Sequence, residues 1–140
     1  MDSPQLYLAG PMSWIPQFNF PAFHDAAACL RAQGIRIISP AELDAQHGLA
    51  DAAMASVDGN PKDLSESWGD VLARDVRLIH NHCDGIVFLP GWKQSRGARL
   101  EAFVSLLCGH AIYGVYYPAN GLVAWENAHY VREALRESLQ

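Results

Sequence analysis

Residues 83–101, with the sequence CDGIVFLPGWKQSRGARLE, decide the predicted fold of this chain. The run 85–89 is apolar and β-branched, which predicts a buried strand that ends at the turn Pro90-Gly91. A short polar loop follows, and a helix is predicted to begin near Gly97. In an open parallel α/β sheet, ligands bind at the carboxyl ends of the strands. The loop after this strand is therefore where we expect a binding site.

Polar groups suited to such a site follow the predicted strand. They are Ser95, the backbone amides around Gly97 and the carboxylate of Glu101. A helix N-terminus favours anions, so it can hold a phosphate and also favour an ionised Glu101. A helical Glu ordinarily faces solvent, but the neighbours of Glu101 are mostly apolar. We therefore predict Glu101 as a catalytic carboxylate.

Strands alternate with helices along the rest of the chain, which predicts βαβ units and right-handed crossovers. The expectation is one domain, residues 1–140, with a three-layer flavodoxin-like or Rossmann-like open parallel sheet of four to five strands and helices on both faces. Residues 41–66 are predicted to be a long loop with a short helix at 49–55, serving as a lid or a partner contact. The predicted strands are 5–9, 35–39, 85–89 and 112–117, with 122–125 as a short fifth strand or loop, and the predicted helices are 20–33, 67–82, 97–108 and 126–138.

Composition limits the classes of partner. The net charge is -5 and the ten Lys and Arg residues are scattered, which argues against binding a nucleic-acid polymer but leaves room for a small anionic ligand. Three cysteines without CxxC spacing are typical of reduced thiols in a cytosolic protein. No apolar run approaches the roughly 20 residues that span a membrane, and the N-terminus lacks a signal peptide. We predict a cytoplasmic protein that does not bind membranes.

Other candidate groups have two interpretations. Asp75 follows Arg74, which indicates either a surface ion pair of little energetic value or the second carboxylate of a catalytic pair. His80, His82 and Cys83 resemble a metal-binding cluster, but residues two apart on a helix point to nearly opposite sides and no second pair lies at finger spacing. Since GxGxxG and P-loop patterns are also missing, we predict neither a metal nor a cofactor.

Several motifs together resemble the nucleoside 2-deoxyribosyltransferase superfamily, over about residues 5–117. They are Tyr7-Leu8-Ala9-Gly10-Pro11-Met12, Pro40-Ala41-Glu42, Asp75, Asp84 and the spacing Ser95-x-Gly97-x-x-x-Glu101. The chain is most similar to a small branch from bacteria and their phages, which is marked by Leu-Pro-Gly-Trp and Ser-x-Gly-Ala-x-Leu-Glu. The resemblance implies cleavage of an N-glycosidic bond, with Glu101 as nucleophile and Asp75 orienting the substrate or shuttling a proton.

Position 95 separates branches of that superfamily. Transferases that act on free nucleosides have a carboxylate six residues before the nucleophile, whereas the 2'-deoxynucleoside 5'-monophosphate N-hydrolases have a Ser that helps to hold the phosphate. Ser95 therefore implies a nucleotide substrate, although the first loop lacks the Arg found near the phosphate in those hydrolases. We predict a base pocket of Tyr7, Trp14 and Phe18, with a purely structural role in the core as the alternative for Tyr7. The full set of predicted substrate-binding residues is Tyr7, Ala9, Gly10, Pro11, Met12, Trp14, Phe18, Ser95 and Gly97.

Two further expectations concern the class of function and the assembly. The alternative to an enzyme is a non-catalytic domain that binds or senses nucleotides on the same fold. The base, the choice between ribose and deoxyribose, and the choice between hydrolysis and transfer stay open. Apolar helix faces predict at least a homodimer. Those faces are formed by Trp68, Val71 and Leu72 before the third strand and by Phe103, Leu106 and Leu107 after it.

Overall fold

The computed structural model describes residues 3–64 and 67–138, except for the side chains of Trp68 and Ser138. These residues form one five-stranded sheet in the order β2-β1-β3-β4-β5, which is the flavodoxin-like order. The predicted α/β fold class is thereby confirmed. The strands are β1 (Gln5–Ala9), β2 (Arg36–Ile38), β3 (Gly85–Phe88), β4 (Ile112–Tyr117) and β5 (Leu122–Glu126).

The sheet is parallel from β2 to β4, but β5 pairs with β4 in the antiparallel direction. The expectation of a wholly parallel sheet is therefore wrong for the last strand. Only residues 118–121 separate β4 from β5, and a parallel neighbour needs a crossover of a dozen residues or more. The connection is too short for a parallel crossover, so β4 and β5 pair as an antiparallel hairpin.

Helices cover both faces of the sheet. Side chains alternate between faces along a strand, so Leu6 and Leu8 pack into one apolar cluster with α1, while Tyr7 and Ala9 pack into the opposite cluster with α4, α5 and α6. None of the helices in the described ranges is long and apolar enough to cross a membrane. The helices are α1 (Phe20–Ala32), α2 (Pro40–Gln46), α3 (Ala50–Ala55), α4 (Trp68–His82), α5 (Arg96–Leu107) and α6 (Ala128–Ser138).

The segment expected to be a long loop, residues 41–66, is more ordered than predicted. Pro40 does not merely close β2, because it occupies the first turn of α2, where its missing N–H is no loss. α3 follows within a few residues, at the place where a short helix was predicted. Residues 56–64 then pack against the loop that follows β1, so this segment forms part of the wall around the carboxyl ends of the strands.

The loop after β1 has an unusual backbone. Trp14 and the consecutive residues Gln17, Phe18 and Asn19 have φ between 51° and 66°, a left-handed conformation that costs a non-glycine residue about 1–2 kcal/mol. Backbone bonds to the 56–64 segment hold it: Trp14 N–H donates to the Gly59 carbonyl at 2.7 Å, and Gln17 N–H donates to a second carbonyl there at 2.9 Å. Strained backbone of this kind clusters at functional sites.

Candidate active site

A cavity of about 700 Å³ opens at the carboxyl ends of β1 and β3. The chain continues from these two neighbouring strands to opposite sides of the sheet, and this switch point is where doubly wound α/β proteins bind ligands. The walls come from the loop after β1, the loop after β3, the first turns of α5 and the middle of α4. The lining residues are Gly10, Pro11, Met12, Ser13, Trp14, Pro40, Pro61, Leu72, Asp75, Gly91, Gln94, Ser95, Arg96, Gly97, Ala98 and Glu101.

Glu101 lies in the cavity wall, and Tyr7 lies behind it. The Tyr7 hydroxyl donates a hydrogen bond of 2.6 Å to Oε2 of Glu101. Tyr7 is fully buried and Glu101 is 5% exposed, so this short bond lies in a region of low dielectric, where it is strong. It fixes one carboxylate oxygen of Glu101, and the Asp75 side chain also lies within hydrogen-bonding reach of this carboxyl group.

Asp75, on α4, is the second carboxylate in the cavity wall. Its Oδ1 accepts hydrogen bonds from Arg74 Nε at 3.0 Å and Nη2 at 2.8 Å. Arg74 Nη1 forms an ion pair with Asp44 Oδ1, on α2, at 2.7 Å. The Arg74 side chain is 15% exposed and the Asp44 side chain 1%. The interpretation of Arg74 and Asp75 as a surface ion pair is therefore wrong, because both side chains are largely buried.

Burial and mutual repulsion alter the acidity of these groups. Burial, reinforced by the nearby Asp75 carboxylate, holds the pKa of Glu101 well above its usual value. Burial also raises the pKa of Asp75, and the Arg74 guanidinium acts against that rise. Burial and the Glu101 charge raise the pKa of Tyr7, so its phenol stays protonated and continues to donate. Two carboxyl groups in one site hold a proton more readily than isolated ones, which suits one nucleophile and one acid.

The N-terminus of α5 forms another part of the wall. Ser95 is the N-cap, and its Oγ accepts a hydrogen bond of 3.2 Å from the Ala98 N–H. Its own hydroxyl hydrogen is thus directed away from that amide. Arg96 follows in the first helical turn and also lines the cavity. The partial positive charge of a helix N-terminus disfavours a cation there, and two cationic features in one place suit an anionic ligand.

A family model described as a domain of unknown function, DUF4406, matches residues 4–114. The chain belongs to the DUF4406 family. The matched segment runs from the start of β1 into β4, so it contains Tyr7, Asp75 and Glu101 together with the whole cavity wall. No curated protein matches the chain.

The predicted binding residues of this DUF4406 domain divide into two groups. Gly10, Pro11, Met12, Trp14, Ser95 and Gly97 line the cavity, together with the predicted catalytic residues Asp75 and Glu101. Ala9 and Phe18 do not line it, because both are fully buried in the apolar clusters. The expected base pocket is therefore corrected, since Tyr7 and Phe18 pack on opposite faces of the sheet. Trp14, which is 64% exposed, is the member of that trio that reaches the cavity.

The structure also adds residues that the sequence reasoning missed. Arg96 carried a signal, since a cation directly after an N-cap Ser opposes the helix dipole. Leu72 was expected at a subunit interface but lines the cavity, whereas Asp44 and Pro61 come from the segment that was expected to be a loop. Asp84 orders the other end of the sheet by accepting a bond from the Gln5 N–H at 2.9 Å. Across the described ranges, no three His, Cys, Asp or Glu side chains are grouped to hold a metal ion.

Proposed function

We propose that this DUF4406 domain is an enzyme of the nucleoside 2-deoxyribosyltransferase superfamily that cleaves the N-glycosidic bond of a nucleoside 5'-monophosphate. The observation that carries the proposal is the arrangement of Tyr7, Glu101 and Asp75. A buried carboxylate with one oxygen fixed by a phenol lies beside a second carboxylate, and both face one cavity at the switch point. Retaining glycosyl transfer uses two carboxyl groups in this way.

In the proposed reaction, the Glu101 carboxylate attacks the anomeric carbon of the sugar. The bond from that carbon to the base nitrogen breaks, and its electron pair leaves with the base. Asp75 supplies the proton that the departing nitrogen takes up. The product is an ester between the sugar and Glu101, which water or the nitrogen of a second base then cleaves, returning the carboxylate and a proton.

The size and polarity of the cavity support a mononucleotide. Its volume of about 700 Å³ lies within the usual range for small-molecule sites. Ser95, Arg96 and the N-terminus of α5 offer hydrogen-bond donors and positive charge for the phosphate. Arg96 thereby compensates for the first loop, which lacks an Arg. Trp14, exposed at the mouth of the cavity, offers a flat surface for the base.

Base release from a panel of nucleoside 5'-monophosphates, followed by chromatography, tests the reaction. Glu101→Ala and Glu101→Gln are expected to abolish release, while Glu133→Gln, on the exposed face of α6, is the matched control. Unchanged turnover by a folded Glu101→Ala protein would contradict the proposal. Arg96→Ala is expected to raise KM for the nucleotide and to leave KM for the corresponding nucleoside unchanged, which identifies the phosphate contact.

One observation favours the alternative, a non-catalytic domain that binds or senses nucleotides. The raised pKa of Glu101 favours its neutral form in the empty cavity, and a neutral carboxyl group is a poor nucleophile. Thermal stabilisation by a nucleotide, with no base released at any pH from 5 to 9, would support the binder. Release that increases with pH would support the enzyme, since ionisation of Glu101 then restores the nucleophile.

We also propose a homodimer that associates through α5. Leu100, Phe103 and Leu107 are 41%, 52% and 72% exposed, and their spacing places them along one side of the helix. Exposed apolar patches usually mark an interface, and twofold dimers are the commonest assembly. The expected contribution of Val71 is wrong because it is 3% exposed, and the side chain of Trp68 lies outside the described residues.

The proposed location is the cytoplasm. Cys29, Cys83 and Cys108 are all free thiols, which suits a reducing compartment. Burial raises the pKa of Cys83 to about 12, so this thiol stays protonated and unreactive.

A further inference from the structure

A row of charged groups leads from α2 to the candidate nucleophile. Asp44 forms an ion pair with Arg74 at 2.7 Å, and Arg74 donates to Asp75 at 2.8 and 3.0 Å. Asp75 shares the cavity wall with Glu101. Asp44, Asp75 and Glu101 are each 5% exposed or less. Charges act strongly on one another in such surroundings, since little water screens them.

The position of Arg74 depends on its partner from another helix. Arg74 and Asp75 are adjacent in α4, and adjacent residues of a helix do not face each other. The Arg74 side chain nevertheless turns so that Nε and Nη2 both meet one oxygen of Asp75. Nη1 points at Asp44 in the same arrangement. Asp44 therefore holds the guanidinium in place and also competes for its charge.

We propose that Asp44 and Arg74 are positioning residues that set the ionisation of the Asp75–Glu101 carboxyl pair. Arg74 lowers the proton affinity of Asp75, and Asp44 offsets part of the Arg74 charge, so that the carboxyl pair shares one proton, which Asp75 holds when Glu101 attacks. A role of this effect in catalysis rests on the proposed function, whereas the effect on the ionisation of the carboxyl pair does not depend on any substrate. Tyr7, from β1, also faces Glu101, and Arg96 contributes positive charge from the first turn of α5.

The two positioning residues have opposite expected effects. Arg74→Gln removes a positive charge, so both carboxyl groups should bind protons more tightly. Asp44→Asn removes a negative charge and keeps an oxygen of the same shape facing Arg74, so the pair should release its proton more readily. Disruption of structure alone would not move the two variants in opposite directions, and this separates electrostatic control from a structural role.

The titration of Glu101 can be followed without any substrate. The protein is labelled with glutamate carrying ¹³C at the side-chain carboxyl carbon, and the signal that disappears in Glu101→Gln is assigned to Glu101. We expect the midpoint to rise by about one pH unit in Arg74→Gln, to fall by a smaller amount in Asp44→Asn and to rise less in Arg74→Lys than in Arg74→Gln. Arg31→Gln is the matched control, because Arg31 pairs with a carboxylate at 2.6 Å on the exposed side of α2.

Loss of Arg74 leaves Asp44 buried without this cation, and such a change can prevent folding. If Arg74→Gln does not fold, the Glu101 midpoint in Asp44→Asn tests the proposal without it. An unchanged or raised midpoint in folded Asp44→Asn would overturn the proposal, as would midpoints of Arg74→Gln and Arg31→Gln that agree. If base release is also observed, the acid limb of kcat/KM should move in the same direction as each midpoint. Shifted midpoints without any base release would refute the enzyme and leave the control of ionisation standing.

Discussion

Replacing Glu101 with Gln is expected to stabilise the fold at neutral and alkaline pH. Burial and Asp75 hold the pKa of Glu101 well above its ordinary value of 4.5, so the folded protein binds this proton more tightly than the unfolded chain. The stability gained from the proton is fully present below the unfolded pKa and is lost as pH rises through the folded pKa. Gln cannot ionise, and its carbonyl oxygen still accepts from Tyr7.

The size of the effect follows from the elevation of the pKa. Each unit of elevation corresponds to about 1.4 kcal/mol of unfolding free energy once pH exceeds the folded pKa. The entropy of unfolding of a 140-residue domain is about 0.3 kcal/mol/K, so each such unit corresponds to about 5 °C in Tm. Residues at active sites often reduce stability in this way, because function needs a charge that packing disfavours.

Thermal unfolding followed by circular dichroism between pH 4 and 9 measures the difference. Glu101→Gln should melt above the natural protein at pH 8, and the gap should close as pH falls towards 4.5. Glu133→Gln, at an exposed site on α6, should show no such dependence. Equal Tm for Glu101→Gln and the natural protein across this range would refute the conclusion that a buried Glu101 charge lowers stability.

Three further predictions address the site, the first loop and the assembly. Tyr7→Phe should lower kcat/KM about 10- to 100-fold at pH 6, since hydrogen bonds to charged groups contribute about 1.5–3 kcal/mol. The loss should be smaller at pH 9, where Glu101 ionises without help from Tyr7. A loss of the same size at both pH values would contradict this role. Gly59→Ala places a Cβ 2.2 Å from a backbone oxygen of the first loop and should cost more than about 2 kcal/mol in urea unfolding. Gly34→Ala, at a similar φ but in open space, should cost about 1 kcal/mol, and equal losses would exclude the clash. Phe103→Glu should leave a 15.4 kDa species in sedimentation, while a natural protein that is already monomeric would disprove the dimer.

Elements with local signals were predicted to within one or two residues. β1 and β4 have their predicted bounds, and α1, α4 and α5 begin or end at most one residue away from theirs. Their apolar periodicity, caps and turn residues lie close together in the chain, so each element can be predicted from residues that are adjacent in sequence. α2 was missed because a proline that follows a strand is compatible with a turn and equally with the first turn of a helix.

The candidate site was predictable where it comes from one continuous stretch. Ser95, Gly97 and Glu101 lie in the strand-turn-helix segment of residues 83–101, and the structure places all three in the cavity wall. Phe18 was misplaced because its direction depends on the left-handed backbone of the first loop, and contacts with residues 56–64 impose that backbone. Contacts between segments that are distant in the chain cannot be predicted from the residues next to Phe18.

The sequence by itself determined the α/β class and the switch-point loop with Glu101 behind it, because short-range periodicity and turn chemistry specify them. The tertiary structure decided the direction of β5, the enclosure of Arg74 and its pairing with Asp44. Those two residues are far apart in the chain and meet only when the fold brings α2 and α4 to the same edge of the sheet. The charge of a buried carboxyl group depends on which distant segments exclude water from it and which cations they bring. The acidity of Glu101 is therefore a property of the folded chain.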